Sequence, residues 1–415
     1  MKVTAFHLMP HRELPDDFEK RYPSVWVDPP FHELGTAERT GQYYNWTLDE
    51  LTFAAEQGFD AVGVNEHHQN AYGYMPSPNL MASALARATN HLDTAILVLG
   101  ATLPNVNPPL RVAEEYAMLD CISGGRLVAG LPLGTSMDNN QCAGVPPIEQ
   151  RPRYWEAHDL ILKAWKEREP FAWNGRFYQY PKVNLWPRPI QEPHPPVFIP
   201  GVGSYSTWEF AARHDHSYSF LSFFGPQLAK AIMDGFWEFS EKAGHPANPF
   251  RAGFAQIVAV ADTDAEAERL YKRHIEYFYN KCLHVPAQYW NLPGHQDYVS
   301  LANGVRSGRS LKMLDALNNY KTYTYKDFLD KRFAICGSPA TVRDQLKDLA
   351  LDLNIGNLML LVHTGSMEHE LCLHNIEMLA KEVLPELQPI FEDEWGQENR
   401  WWPQRLLRRP ATAGV

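Results

Sequence analysis

The apolar residues of this chain gather in short continuous runs, each followed by a stretch of helical periodicity. Val3 to Leu8, Asp60 to Val64, Thr94 to Gly100 and Arg126 to Leu131 are the first four runs. Val197 to Pro200, Tyr218 to Phe223, Phe254 to Val260 and Asn357 to Val362 continue the series. Runs without polar alternation suit strands buried on both faces, as in a parallel sheet. Between them, Thr47-Leu48-Asp49-Glu50 has the form of a capping box and predicts a helix from Thr47 to Glu56, stopped by Gly58. Further helices are expected from Asn79 to Ala88, Pro108 to Leu119, Arg153 to Trp165, Gln227 to Lys242 and Ser338 to Leu351, and from near Met367. Tyr154, Ala157, Leu160, Ile161 and Ala164 form one apolar face of the fourth expected strand's helix. Strand-then-helix units with right-handed crossovers, about eight of them, predict an α/β fold: a (β/α)8 TIM barrel.

Three segments interrupt the repeat, near 9–46, 168–195 and 277–332. The first is rich in proline. The second contains a hairpin-like stretch, Phe171 to Tyr178, with Asn174-Gly175 at its turn. The third mixes aromatics with Pro and Gly and is expected to cover the site, since long irregular insertions in compact domains are usually functional. No linker divides the chain, so residues 1–415 are expected to form one barrel domain with these insertions.

Composition narrows the function classes. The chain has 415 residues, 45% hydrophobic and 21% charged, with a net charge of -11. Such a balance offers no broad basic field for nucleic acid or anionic lipid, Arg405, Arg408 and Arg409 being the only local basic cluster. No apolar run approaches the roughly 20 residues of a membrane span. The N-terminal run is broken too early by Pro10 for a signal peptide. The 5 cysteines contain no CxxC pair, so neither a disulfide framework nor a zinc knuckle is indicated. A cytoplasmic protein with reduced thiols is expected.

Two stretches carry candidate chemistry. Asp60 to Val64 ends in Asn65-Glu66-His67-His68, and functional groups in barrels gather where strands finish at their carboxyl ends. Two imidazoles beside a carboxylate suit either proton transfer or a metal. Adjacent side chains on an extended chain point apart, which is poor spacing for one ion. A metal-dependent hydrolase would need His7, His363 and Asp138 to join them. The second stretch, Gly201-Val202-Gly203-Ser204-Tyr205-Ser206-Thr207, joins a buried strand to a helix start and offers free backbone N–H groups to an anion. It is neither GxGxxG nor a Walker A loop. Gly100-Ala101-Thr102, at the end of the third run, has side chains small enough either for a planar ligand or for tight packing. No Gly-x-Ser-x-Gly elbow is present.

Asn65-Glu66-His67-His68, the Ala95 to Thr102 strand and turn, the segment Ala113 to Arg126 and Gly203-Ser204-Tyr205-Ser206-Thr207, in this order, resemble bacterial-luciferase-like flavin-dependent monooxygenases. The resemblance runs from about residue 40 to 220 and resumes from Gly337 to Leu387. It implies a barrel binding FMN as FMNH2, supplied by a separate NAD(P)H-dependent flavin reductase. A flavin C4a-hydroperoxide formed with O2 would oxidise a small organic substrate. Carried over by position, Gly203, Ser204 and Thr207 would hold the FMN phosphate, with Arg153 and Tyr154 in reach of it. Asn65 would be a further cofactor position, and Gly100, Ala101 and Thr102 would lie against the ring, at a turn where the family often has a non-proline cis peptide. His67 or His68 would be the catalytic acid/base. No metal is implied, and a homodimer is. Where luciferases proper have a reactive Cys after the fourth strand, this chain has Leu131-Pro132-Leu133-Gly134, which argues against light emission. A deazaflavin-dependent dehydrogenase on the same fold is the alternative, ahead of the metal hydrolase and of a non-enzymatic flavin binder.

Overall fold

The computed structural model describes residues 1–221, 223–290, 295 and 297–407. Eleven strands are formed: β1 (Lys2–Phe6), β2 (Ala61–Asn65), β3 (Ala95–Leu99), β4 (Leu127–Gly130), β5 (Phe171–Asn174), β6 (Gln179–Val183), β7 (Val197–Gly201), β8 (Ser217–Phe220), β9 (Ala252–Val260), β10 (Ala334–Gly337) and β11 (Asn357–Leu361). Eight of them pair in parallel in the order β9-β11-β1-β2-β3-β4-β7-β8, and β8 pairs with β9 to close the ring. The expected (β/α)8 TIM barrel is the observed fold. Every residue of β2, β3, β9 and β11 is buried, which is why these strands read as uninterrupted apolar runs. Full burial of each Leu, Ile or Val side chain contributes about 1.5–3 kcal/mol.

Two features depart from the expected repeat. β10 is a strand beyond the barrel count; it pairs only with the carboxyl half of β9, whose amino half pairs with β8. The β5–β6 hairpin is antiparallel and stands outside the barrel sheet, with Gly175 N donating to Tyr178 O across the expected turn.

The helix expected to begin at Thr47 begins at Ala37 and runs to Glu56. Its cap is Thr36, whose side chain accepts from Arg39 N, while Thr47 is buried within the helix. Glu50, read as the capping-box acid, is instead buried against His7, Arg12 and His369. The first insertion therefore ends nearer residue 36, and it also holds short helices at Phe18–Arg21 and Phe31–Leu34. The third insertion contains helices Tyr298–Arg306, Arg309–Asn319 and Tyr325–Asp330. Ser338 caps the helix Pro339–Leu353 as expected. Residue 222 at the expected sixth strand, 291–294 and 296 in the third insertion, and Arg408 and Arg409 of the basic tail lie outside the described residues. No helix among the described residues is long and apolar enough to cross a membrane.

Candidate active site

The barrel's parallel strands deliver their carboxyl ends to one mouth, and the two stretches of candidate chemistry both lie there. At the end of β2, Asn65 is buried, and among the described residues neither its amide nitrogen nor its amide oxygen has a hydrogen-bond partner. Leaving such a group unpaired costs about 1–3 kcal/mol, which makes Asn65 a candidate contact for a bound molecule.

Glu66, His67 and His68 form two linked pairs. His67 Nδ1 lies 2.9 Å from Asp138 Oδ2. Asp138 also accepts from His68 N at 2.9 Å, Thr135 Oγ1 at 2.8 Å and Trp26 Nε1 at 3.2 Å. Burial works to raise the Asp138 carboxyl, but His67 and the surrounding donors outweigh it and hold the group below its ordinary value. Asp138 therefore stays ionised and fixes the proton of His67 on Nδ1, leaving Nε2 as the unprotonated nitrogen. The His67 ring stands edge-on to Trp26 and Tyr72, which stack on each other at 4.7 Å.

His68 is turned the other way. Its Nε2 lies 2.8 Å from Glu66 Oε1, and this bond raises its pKa above the ordinary value against the opposing effect of burial. Glu66 Oε2 accepts from Thr102 N at 3.1 Å, so one carboxylate ties the ends of β2 and β3 together.

The turn after β3 is tight. Ala101 is held at φ 56, and a Cβ on Gly100 would sit 2.1 Å from Pro78 Cγ, so only glycine fits. Tyr116 Oη donates to both Gly100 O and Gly130 O. The cis peptide implied for this turn is not present: among the described residues every cis bond precedes proline, and the turn is made through Ala101's left-handed backbone instead.

The β7 turn carries the candidate anion site. Gly203 has φ 101, and Ser204 precedes the helix Tyr205–Arg213 without capping it through its side chain. Ser204 and Thr207 instead turn their hydroxyls to Arg151, whose Nη2 lies 3.2 Å from Ser204 Oγ and Nη1 3.3 Å from Thr207 Oγ1. Arg151 is buried, and its Nε has no hydrogen-bond partner among the described residues. Asp297, which caps the helix Tyr298–Arg306, reaches into this cluster. Its Oδ2 accepts from Ser206 Oγ at 2.6 Å and lies 3.8 Å from Arg151 Nε.

Arg153 does not join the cluster. Its guanidinium pairs with Glu149 one turn back at 2.7 Å and lies over the ring of Phe177. Tyr154 is buried with its hydroxyl on Leu131 O. The face was legible: Arg151 lies three residues before buried Tyr154, and residues i and i+3 share a helix side, whereas Arg153 is rotated away. The sequence alone offers Asp138 only as a metal companion. It sits in a short π-helical turn, Met137–Cys142, too brief to leave a period in the sequence.

His7 and His363 do not converge on His67 and His68. They stack on each other at 4.7 Å in a separate buried network. Met9 N donates to His7 Nδ1, which commits His7 Nε2–H to Glu50 at 2.8 Å, and His363 Nε2 is held by Met367 O. Both ring nitrogens of His7 and Nε2 of His363 are thus engaged by protein partners.

The family described as luciferase-like monooxygenase matches residues 26–352. An uncharacterized protein of Sinorhizobium fredii is 36% identical over 154 residues, 36% of this chain and 44% of that protein, so the chain spans less than half the length of this relative. The oxygenase component of flavin-dependent trigonelline monooxygenase from Acinetobacter baylyi is 25% identical over 305 residues, 69% of this chain and 82% of that protein. Among solved structures, the oxygenating constituent of 3,6-diketocamphane monooxygenase from Pseudomonas putida, in complex with FMN, superposes with a TM-score of 0.68 at 19% identity, covering 93% of this chain and 98% of that one. The extent of the family match, over the barrel that carries this mouth, assigns the chain to the luciferase-like monooxygenase family.

Proposed function

We propose that this chain is the oxygenase component of a two-component, FMN-dependent monooxygenase acting on a small organic substrate. A separate NAD(P)H-dependent reductase would supply its reduced FMN. The observation that carries the reading is the buried cation at the β7 turn. Arg151, Ser204 and Thr207 converge at a helix start, and the place beside them is held by a carboxylate, Asp297. A helix N-terminus with an aimed guanidinium suits a phosphate. The residues fit FMN in two further respects: the amide of Asn65 is unpartnered at the mouth, and a Cβ on Gly203 would press within 2.9 Å of Ile232.

The chain's own groups divide the work. Arg151, Ser204, Thr207 and the Gly203 backbone would bind the phosphate; Asn65, Gly100, Ala101 and Thr102 would seat the ring. FMN, bound in its reduced form, would supply the electrons that activate O2. His67 Nε2, with Nδ1 anchored on Asp138, would hold or accept a proton at the reacting centre, help worth roughly 10²–10⁴-fold. Trp26 and Tyr72 would keep water from that proton. His68, paired with Glu66, would position the β3 turn. Exposed Leu80, Met118 and Ile122 on neighbouring helices suit a homodimer contact. The cysteines are all free, in keeping with a cytoplasmic setting.

The test is an anaerobic titration with reduced FMN, followed by O2 uptake with NADH and a flavin reductase. Saturable binding of reduced FMN, and O2 use that depends on the protein, are expected. Absence of binding sinks the reading, and hydride transfer to a deazaflavin without O2 use would favour the dehydrogenase alternative.

A further inference from the structure

Away from the mouth, three histidines converge. His158 lies on the helix Pro147–Lys166, and His214 and His216 flank Asp215 between the helix Tyr205–Arg213 and β8. One ring nitrogen from each lies within 4.8 Å of the other two. His158 Nε2 and His216 Nε2 are only 2.8 Å apart, and the rings of His214 and His216 stack at 16°.

The backbone explains the convergence. Asp215 adopts φ 54, which turns the chain back at the helix end, and His216 N donates to Ala211 O. The two histidines are thereby brought to one side. The Asp215 carboxylate is carried to the other, against Arg400 at 2.7 Å, Arg251 at 3.4 Å and His245 at 3.6 Å.

Burial lowers His158, and burial with mutual repulsion lowers His214 to about 4 and His216 well below its ordinary value. A metal takes the lone pair of a neutral imidazole nitrogen, and burial works toward that form in all three rings. His158 Nδ1 lies 3.0 Å from Asp159 Oδ1. Donation from Nδ1 to this carboxylate leaves His158 Nε2 bare and aimed at the other two rings, the carboxylate–histidine arrangement that supports metal ligands.

We propose that His158, His214 and His216 bind one divalent ion of the zinc class through three imidazole nitrogens, with water in the fourth position. Tetrahedral zinc–nitrogen bonds of about 2.0–2.1 Å set the nitrogens about 3.3 Å apart, so His158 and His216 would part slightly while His214 closes in by about 1 Å. His214, only half-buried, is the ring free to make that movement. The ion would brace the helix Pro147–Lys166 against the turn that leads into β8. The same two helices hold Arg151 and Ser204 at their other ends, and Arg151 is about 10 Å along the axis from His158. The site stands on residues apart from the flavin reading and does not depend on it.

The test is a titration of chelator-treated full-length protein with Zn2+ alone, followed by thermal unfolding and by Co2+ absorption. One Zn2+ per chain, a raised Tm and the intense visible bands of a four-coordinate Co2+ site are expected. His214→Ala should weaken Zn2+ binding at least about 100-fold and remove the Tm shift, and His158→Gln should do the same. His91→Ala, on the exposed surface, should change neither. Failure of the parent protein to bind Zn2+, or binding that survives in His214→Ala, overturns the proposal. X-ray absorption of the Zn2+-loaded parent gives a readout independent of variant folding: three imidazole scatterers are expected, and a shell without them is fatal to the assignment.

Discussion

Asp138 anchors His67 from 71 residues further along the chain, with Oδ2 at 2.9 Å from Nδ1, and the same carboxylate takes the backbone N–H of His68. One residue in a π-helical turn thus fixes the ring of one histidine and the backbone of the next. Asp138→Asn keeps the shape but supplies an amide that no longer fixes the Nδ1–H tautomer. Reduced FMN should still bind within about threefold of the parent, because no phosphate contact is touched. The fraction of consumed O2 released as H2O2 should rise, with productive oxidation falling by about 10²–10⁴-fold. A peroxidase-coupled assay beside O2 uptake measures this, and unchanged coupling would remove Asp138 and His67 from the acid/base role.

Arg151 and Arg153 offer a paired comparison. Arg151 is buried and bonded to Ser204 and Thr207, while Arg153 is tied to Glu149 on the helix exterior. A charge-assisted bond contributes about 1.5–3 kcal/mol, so Arg151→Ala should weaken FMN about 10- to 150-fold. Arg153→Ala should leave affinity within about twofold. Fluorescence titration with FMN reads both, and the reverse ranking would restore Arg153 as the phosphate contact.

These two arginines also mark how far the chain can be read without its fold. The eight barrel strands were legible because strands buried on both faces are predominantly apolar, and β2, β3, β9 and β11 are buried along their whole length. The β7 turn and the Asn65 to His68 stretch were legible because chemistry collects at strand ends. Asp138 was not legible as His67's partner, since that pairing depends on how the turn Met137–Cys142 folds over β2 rather than on any local period. The helix Ala37–Glu56 was read ten residues short because Thr47 to Glu50 satisfies the capping pattern locally. Tertiary contacts of Glu50 with Arg12, His7 and His369 overrode it. The anion cluster needed Asp297, which arrives from the third insertion and has no sequence signal linking it to Ser206.

His68 and Glu66 give a pH signature. The bond to Glu66 raises His68 above 6.5 even though burial opposes it. Because protonation is favoured in the folded state, the stabilisation is fully present below pH 6.5 and is lost as pH rises through the folded value. In Glu66→Gln the His68 titration followed by NMR should move downward. The stability gap between parent and variant in urea should be largest in acid and shrink as His68 deprotonates. A gap that widens with pH would contradict the pairing.

Asn65 sets stability against binding. Its amide is buried and unpartnered, so Asn65→Leu removes a desolvation cost of about 1–3 kcal/mol and should leave the protein equally or more stable to urea. The same change deletes the only amide that β2 offers the mouth, and reduced FMN should bind about 5- to 100-fold more weakly. Loss of stability with full retention of binding would identify Asn65 as a packing residue.

Asp297 stands where the phosphate is proposed to bind. Its carboxylate accepts from Ser206 and from Ser300, and lies 3.8 Å from Arg151. The donors around it hold it below the ordinary carboxylate value despite burial, so near pH 7 it is an anion competing for the anion site. Asp297→Asn keeps a side-chain oxygen to cap the helix Tyr298–Arg306 but removes the charge. FMN should bind several-fold more tightly to this variant, since Arg151 no longer has to exchange one anion for another. Riboflavin, which has no phosphate, should bind parent and variant alike. The difference between the two ligands isolates the charge effect from any loosening of the helix. If FMN and riboflavin gain equally, Asp297 acts by holding the helix in place, and the phosphate lies elsewhere.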